Sequence, residues 1–295
     1  MINKYSDLND RKANLVDISK IKSYRDIFSS FQWTQAFQKV YNPKNIQRIS
    51  CEHMSAYYCL GKNKNMIAVG DPFNDFNMIC RCSEFISSIE NLNQENSVFI
   101  TNTLVFLTDL NISETNCFKV ILENCNQKIS NRISKQYDDT KEEVAYQQIS
   151  VNDSAFGANL LWLLKNRQKY LMENRIGESN DSYYNEFNNF IIELCSLSNH
   201  CDTIRLEILK TTNSDRVLAM SLNFYASDGL MCYLRACDRG MSMVVSYGLI
   251  LDMYTMLNAK RNKYQIYDLT RGDEPYKLRL GADKYVTYSH FINRK

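Results

Sequence analysis

The sequence contains few of the residues on which tight turns depend. Its 295 residues include only nine glycines and three prolines. All-β proteins with many short turns use both residue types heavily, because glycine and proline supply the backbone angles that turns require. The scarcity therefore argues against a turn-rich all-β fold.

Long apolar runs and an excess of charge of one sign are also absent. The most apolar stretches, residues 98–110 and 241–257, are interrupted well before the roughly 20 apolar residues that a membrane-spanning helix needs. The chain has 35 basic and 33 acidic residues, and its net charge of +2 provides no broad field for nucleic acid. We expect a soluble protein with no integral membrane segment and no nucleic-acid partner.

The sequence also lacks the motifs of secretion, metal binding and nucleotide binding. The first fifteen residues contain no apolar run of the signal-peptide type, so the ten cysteines are expected to stay reduced in a cytoplasmic protein. The fragments Cys80-x-Cys82 and His200-Cys201 are far apart and form no matched set of ligands, which predicts no metal site. No Walker loop, dinucleotide fingerprint or nucleophile elbow occurs.

The residues that are present predict helices and strands in two parts of the chain. Residues 135–141 are polar and without apolar periodicity, which predicts a boundary between domains at 1–140 and 141–295. Apolar spacing before this boundary predicts helices over 31–40, 83–92 and 116–127, and strands over 55–60, 65–69 and 98–106. After it, the spacing predicts helices over 158–174, 182–194 and 247–260, and strands over 203–210, 217–225, 230–237, 264–269 and 285–291.

The order of these elements predicts a mixed sheet of the α/β (α+β) class. Three strands joined by short loops are antiparallel, whereas a strand that returns through a helix lies parallel to the one before it. The change from antiparallel to parallel is expected at the strand over 230–237. Neighbouring parallel strands can separate there, beside the N-terminus of the intervening helix, and leave room for a pantetheine chain and a pyrophosphate.

The segment 268–281, DLTRGDEPYKLRLG, is the strongest candidate for a functional site in the sequence. Six of the twelve residues from Asp268 to Arg279, both included, are charged, three of each sign, and they follow directly on an apolar strand. Gly272 permits a tight turn and Pro275 favours the start of a short helix. Two interpretations remain: a salt-bridged cap on the domain, and a functional site, which the coincidence of glycine, proline, an aromatic and both charge signs favours.

This segment resembles the signature of the BioF2-like (CelD-type) acetyltransferase domain, a branch of the Gcn5-related N-acetyltransferase (GNAT) superfamily close to the FemAB-like proteins. The matching positions are Asp268, Arg271, Gly272, Glu274, Tyr276, Lys277 and Gly281. Upstream, 233–238 resembles the family's strand ending in an acidic residue, and Ser246-Tyr247-Gly248 its helix start, with Tyr247 in place of the usual proline. Residues 164–177 and 31–33 resemble earlier parts of the family pattern.

The resemblance implies two GNAT-like units in tandem, each a mixed central sheet flanked by helices, of which the first is degenerate. It also implies transfer of an acyl group from acyl-CoA (acetyl-CoA or longer) to a small amine-bearing acceptor, such as an amino sugar or another envelope-polysaccharide precursor. Two alternatives stay open: a FemAB-like transferase that uses aminoacyl-tRNA, and a non-catalytic binding module on the same fold.

The resemblance and the chemistry of the residue types suggest roles at the site. Asp268 or Glu274 orients the ammonium and accepts its proton, Tyr276 donates to the departing thiolate or the oxyanion, and Arg271 or Lys277 neutralises an anionic part of a substrate. The cofactor site is assigned to the backbone amides of Val245, Ser246, Tyr247 and Gly248, and to Tyr233. Tyr183, Tyr184 and Phe187 either line an acceptor groove or belong to the core.

Overall fold

A computed structural model describes residues 2–5, 16–43, 46–51, 54–60, 66–68, 98–103, 111–124, 131, 135, 144–174, 181–238 and 246–292. The strands are β1 (Ile2–Tyr5), β2 (Ile46–Cys51), β3 (Met54–Leu60), β4 (Met66–Ala68), β5 (Val98–Thr103), β6 (Asn111–Ile121), β7 (Val144–Ser150), β8 (Ile204–Thr211), β9 (Val217–Ala226), β10 (Gly229–Cys237), β11 (Ile266–Arg271) and β12 (Asp283–Ile292). The α-helices are α1 (Phe31–Tyr41), α2 (Phe156–Glu173), α3 (Asp181–Leu197), α4 (Tyr247–Arg261) and α5 (Pro275–Arg279).

Two compact units divide the chain. The first comprises residues 1–21, 25–117 and 285–295, and the second comprises residues 22–24 and 118–284. Most of the polar segment 135–141 lies outside the described residues, so the division predicted at residue 140 stays a prediction. Within the contact-based division, most of β12 belongs to the first unit and residues 22–24 belong to the second.

The first unit contains a mixed sheet with the strand order β1-β2-β3-β4-β5-β12. Strands β4 and β5 are parallel, and the other neighbouring pairs are antiparallel. Helix α1 begins where the Ser30 hydroxyl accepts a hydrogen bond from the Trp33 N–H, and it ends at Asn42 in the left-handed conformation. Trp33 is fully buried and contacts Phe28 edge to face, so the predicted helix over 31–40 is confirmed.

The second unit is built on the strand order β6-β11-β10-β9-β8-β7, to which β6 contributes residues 118–121. The neighbouring pairs β7–β8, β8–β9 and β9–β10 are antiparallel, whereas β10 and β11 are parallel. The predicted change of direction at β10 is therefore confirmed, as is the predicted α/β class with mixed sheets flanked by helices. The predicted helices over 158–174, 182–194 and 247–260 are present as α2, α3 and α4.

Helices cover both faces of this second sheet. Phe224 of β9 faces Tyr233 of β10, which also contacts Phe187 of α3. The next residue, Tyr225, points to the opposite face, as successive strand residues do, and joins the buried cluster that includes Met253 of α4. The sheet thus separates α3 from α4, and its two faces are buried against different helices.

A polar cluster is buried on the α4 face, around Glu207 of β8. Its side chain is fully buried and accepts hydrogen bonds from the hydroxyls of Tyr146 and Tyr225 and from Gln148 at 2.8 Å. Arg205 donates to Gln148 at 3.1 Å and lies over the ring of Tyr225. Burial raises the pKa of Glu207, and these hydrogen bonds oppose the shift.

Several expectations need correction. The helix predicted over 116–127 is wrong: residues up to 121 belong to strand β6, in which Phe118 and Val120 are buried and alternate with more exposed residues. Strands β1, β2 and β7 were not predicted from the sequence. The helix predicted over 83–92 lies outside the described residues.

Candidate functional site

The predicted site is centred on the two parallel strands of the second unit. Over the described strands, pairing between them is confined to Gly229–Met231 opposite Ile266–Asp268, although β10 continues to Cys237 and β11 to Arg271. Strand β10 carries one extra residue, Tyr233, where its register against β9 shifts between Cys232 and Leu234. A bulge of this kind bends a strand and increases its twist. The two strands therefore separate after three paired residues.

Glycines allow close packing at both ends of β10. A Cβ atom on Gly229 would lie 2.6 Å from the carbonyl oxygen of Ile266, so glycine is needed for the approach of β11 rather than for the hairpin turn. A Cβ atom on Gly248 would lie 2.8 Å from Cys237 Sγ. The start of α4 therefore lies directly against the end of β10, next to the separated strands.

Asp268, a predicted catalytic residue, is fully buried within β11. Its Oδ2 accepts a 2.9 Å hydrogen bond from the Tyr24 hydroxyl, and its Oδ1 accepts one of 2.8 Å from the Thr270 N–H. Tyr24 is also held by its own N–H, which donates to Asp228 at 3.1 Å. The carboxylate thus fixes a left-handed residue, Thr270 at φ 55°, and anchors the segment 22–24 to the second unit.

Lys277 is also buried, and its ammonium closes the loop after β11. Its Nζ donates to three successive carbonyls, at 3.3 Å to Thr270, 2.7 Å to Arg271 and 3.0 Å to Gly272, and it pairs with Glu274 at 3.0 Å. Gly272, at φ 112°, has the positive angle that glycine adopts without strain. Lys277, which lies on helix α5, therefore fixes the conformation of the loop between β11 and α5.

The remaining predicted residues of the loop are more accessible. Arg271 is exposed, and the side chain of Glu274 is 56% exposed although it pairs with Lys277. Tyr276 is half-buried beneath the guanidinium of Arg235, which lies 4.3 Å from the ring centroid. Burial raises the pKa of Tyr276, and the negative charge of nearby residues adds to this effect. Its phenol therefore remains a hydrogen-bond donor at neutral pH.

One buried group in this region was missed at the sequence level. Asp252 on α4 is fully buried, forms an ion pair with Arg235 of β10 and accepts a 2.9 Å hydrogen bond from the Tyr267 hydroxyl of β11. Burial raises the pKa of Asp252, whereas the charge of Arg235 and the hydrogen bond from Tyr267 lower it. The sequence does contain an indication of this group, because Asp252 is an acidic residue within the mostly apolar run 249–257. A charged side chain among buried residues needs a partner.

The predicted cofactor residues lie around the start of α4. Ser246 is exposed, Tyr247 is half-buried and Gly248 is buried, while Val245 lies outside the described residues. Tyr233, the bulge residue of β10, is half-buried on the α3 face beside Phe187. Tyr184 is buried and belongs to the core, and the side chain of Tyr183 lies outside the described part.

No group of three or more histidine, cysteine, aspartate or glutamate side chains in the described part of the chain is placed to hold a metal ion. No helix within those same ranges is both long enough and apolar enough to cross a membrane.

A family model matches the part of the chain that contains most of this site. Residues 134–278, just under half of the chain, match the family model described as an acetyltransferase (GNAT) domain. No curated protein matches the sequence. The BioF2-like subtype stays a prediction.

Solved structures resemble nearly the whole chain in fold. The C-terminal domain of a protein provisionally described as a lysylphosphatidylglycerol synthetase, from Agrobacterium fabrum, has a TM-score of 0.61 at 10% identity, covering 94% of this chain and 89% of that one. L-PGS from Bacillus licheniformis has a TM-score of 0.56 at 9% identity, with 90% and 92% covered. FemX has a TM-score of 0.55 at 9% identity, also with 90% and 92% covered. At such identities the likeness concerns the fold.

Proposed function

We propose that the protein transfers an acyl group from a CoA thioester to the amine of a small acceptor. The observation that carries the proposal is the separation of β10 and β11 beside the start of α4, inside the segment that matches the GNAT domain model. Separated parallel strands provide a slot for the pantetheine chain. The adjacent helix N-terminus offers backbone N–H groups to a pyrophosphate.

The proposed reaction forms an amide and releases a thiol. The amine nitrogen attacks the thioester carbonyl carbon, the C–S bond breaks, and the proton lost by the nitrogen ends on the sulfur, directly or through a protein group. The protein must hold the two reactants in register, accept the proton and provide a hydrogen-bond donor for the developing negative charge.

The burial pattern supports a division of roles among the predicted residues. We assign Glu274 as the proton acceptor, because its carboxylate is more than half exposed whereas Asp268 is fully buried. Tyr276 is assigned as the donor to the thiolate or the oxyanion, since burial keeps it protonated. Asp268 and Lys277 are assigned as positioning residues that hold the loop carrying Glu274 and the exposed Arg271.

Ligand-induced thermal stabilisation tests the donor. A ligand that binds only the folded state raises the melting temperature by an amount set by its concentration relative to its dissociation constant. Acetyl-CoA, longer acyl-CoAs and free CoA are each expected to raise it, while adenosine alone serves as a control that is expected to have little effect. The absence of a shift with every CoA compound would refute the proposal.

A turnover assay then separates an enzyme from a binding module. Thiol release from acetyl-CoA should depend on added amine, with glucosamine as the probe for the amino-sugar class. CoA binding without thiol release for any amine tested would favour the non-catalytic module.

Aminoacyl transfer is the second candidate. Two of the solved structures with a similar fold are described as a lysylphosphatidylglycerol synthetase domain and as L-PGS. Transfer of a radiolabelled lysyl group from lysyl-tRNA, in place of thiol release from acetyl-CoA, would favour it.

A further inference from the structure

One buried carboxylate joins the two strands that separate at the candidate site. Asp252 Oδ1 accepts from the Tyr267 hydroxyl at 2.9 Å, and its Oδ2 pairs with the guanidinium of Arg235. Tyr267 belongs to the paired part of β11, opposite Leu230. Arg235 lies on β10 beyond the bulge, where pairing with β11 has ended. Asp252 therefore links the paired end of one strand to the separated end of the other.

The guanidinium at the centre of this link is held from other directions as well. It lies over the ring of Tyr276 on α5, 4.3 Å from the ring centroid. Its Nε would be only 3.7 Å from a Cβ atom added to Gly248, at the start of α4. A substitution at Asp252 is therefore expected to alter contacts among β10, β11, α4 and α5.

Stability alone is a poor explanation for this arrangement. Asp252 is fully buried and the Arg235 side chain is 23% exposed. The desolvation of such charges largely offsets their attraction, so the pair contributes little compared with apolar packing. Glu207 provides the comparison, since it is equally buried on the same face of the same sheet and also accepts from tyrosine hydroxyls. Its partners lie on β7 and β9, away from the separated strands. Asp252 differs from Glu207 because its partners lie on β10 and β11, the two strands that separate.

We propose that Asp252 is a positioning residue for acyl transfer, which sets the separation of β10 and β11 and thereby the alignment of a thioester held between them. This inference rests on the proposed function. Alignment affects turnover more than affinity, because a displacement of about 1 Å at the reacting atoms lowers rates roughly 100-fold.

The test compares Asp252→Asn with the matched variant Glu207→Gln. Steady-state kinetics are measured with acetyl-CoA as donor and glucosamine as the acceptor probe, alongside the melting temperature of each variant. We expect Asp252→Asn to lower kcat at least tenfold while the KM for acetyl-CoA stays within threefold of the wild-type value. Glu207→Gln should keep kcat within twofold. An equal loss of kcat in both variants, or none in Asp252→Asn, would overturn the inference.

A second variant covers the case in which Asp252→Asn does not fold. Tyr267→Phe keeps both residues of the pair between Asp252 and Arg235 and removes the hydroxyl that links Asp252 to β11. We expect a kcat at least fivefold lower at a melting temperature close to that of the wild type, and an unchanged kcat contradicts the inference. If the wild-type protein neither binds CoA nor acetylates the probe, the proposed function fails and the inference fails with it. If it does both while the Asp252 and Tyr267 variants match Glu207→Gln, only the inference fails.

Discussion

Replacing Lys277 with methionine tests whether its ammonium holds the loop after β11. The substitution keeps an unbranched apolar side chain of similar length but removes the donor to three carbonyls, those of Thr270, Arg271 and Gly272. Hydrogen bonds to a charged group contribute about 1.5–3 kcal/mol each, and the recovered cost of burying the ammonium offsets part of this sum. We expect a net loss of about 3 kcal/mol in the free energy of unfolding.

Thermal unfolding measures this loss directly. For a folded unit of about this size, 1 kcal/mol corresponds to roughly 2–4 °C in the melting temperature, so Lys277→Met should melt about 6–12 °C below the wild type. The control is Lys169→Met on α2, which breaks only a 3.8 Å pair with Glu173 from a lysine whose side chain is 72% exposed. Exposed pairs contribute little, and the control should melt within about 2 °C of the wild type. Equal melting temperatures for the two variants would refute the structural role assigned to Lys277.

Gly229→Ala places a Cβ atom 2.6 Å from the Ile266 carbonyl and should destabilise the fold by about 1–3 kcal/mol in chemical denaturation, whereas the helical Gly157→Ala, with open space around it, should be neutral or stabilising. Burial raises the pKa of Glu207 above its ordinary 4.5, so the stability that this group contributes falls as the pH rises above 4.5, and Glu207→Gln should flatten that decline in unfolding experiments at a series of pH values. Glu274→Gln should lower kcat at least tenfold at an unchanged melting temperature, and a wild-type kcat would remove its assignment as the proton acceptor.

The strands and helices of the second unit could be predicted because their patterns are local. Strand β8 shows period-two alternation and α2 shows a helical stripe, and each face follows from the residues themselves. Strand β7 was missed because Gln147 and Gln148 make it look polar. Gln148 in fact lies against the buried Glu207, which no local pattern reveals.

The packing of residues within the predicted site could not be derived from the sequence. The sequence places Asp268 and Lys277 in one charged segment, yet only the structure shows that both are buried and satisfied by backbone groups and Tyr24. The pair between Arg235 and Asp252 joins residues 17 positions apart on different elements. Such contacts depend on how helices and strands pack, which periodicity does not specify.

The way the chain returns on itself has a consequence for its synthesis. Strand β12, the last described element, pairs with β5 in the first unit, and Tyr24 binds Asp268, which lies 244 positions later. Neither unit can therefore complete its contacts on the ribosome before most of the chain has emerged. A protein dominated by such distant contacts is expected to fold slowly, and the apolar surfaces of the early strands stay exposed meanwhile. Overexpression should therefore produce more soluble protein at low temperature or with added chaperones.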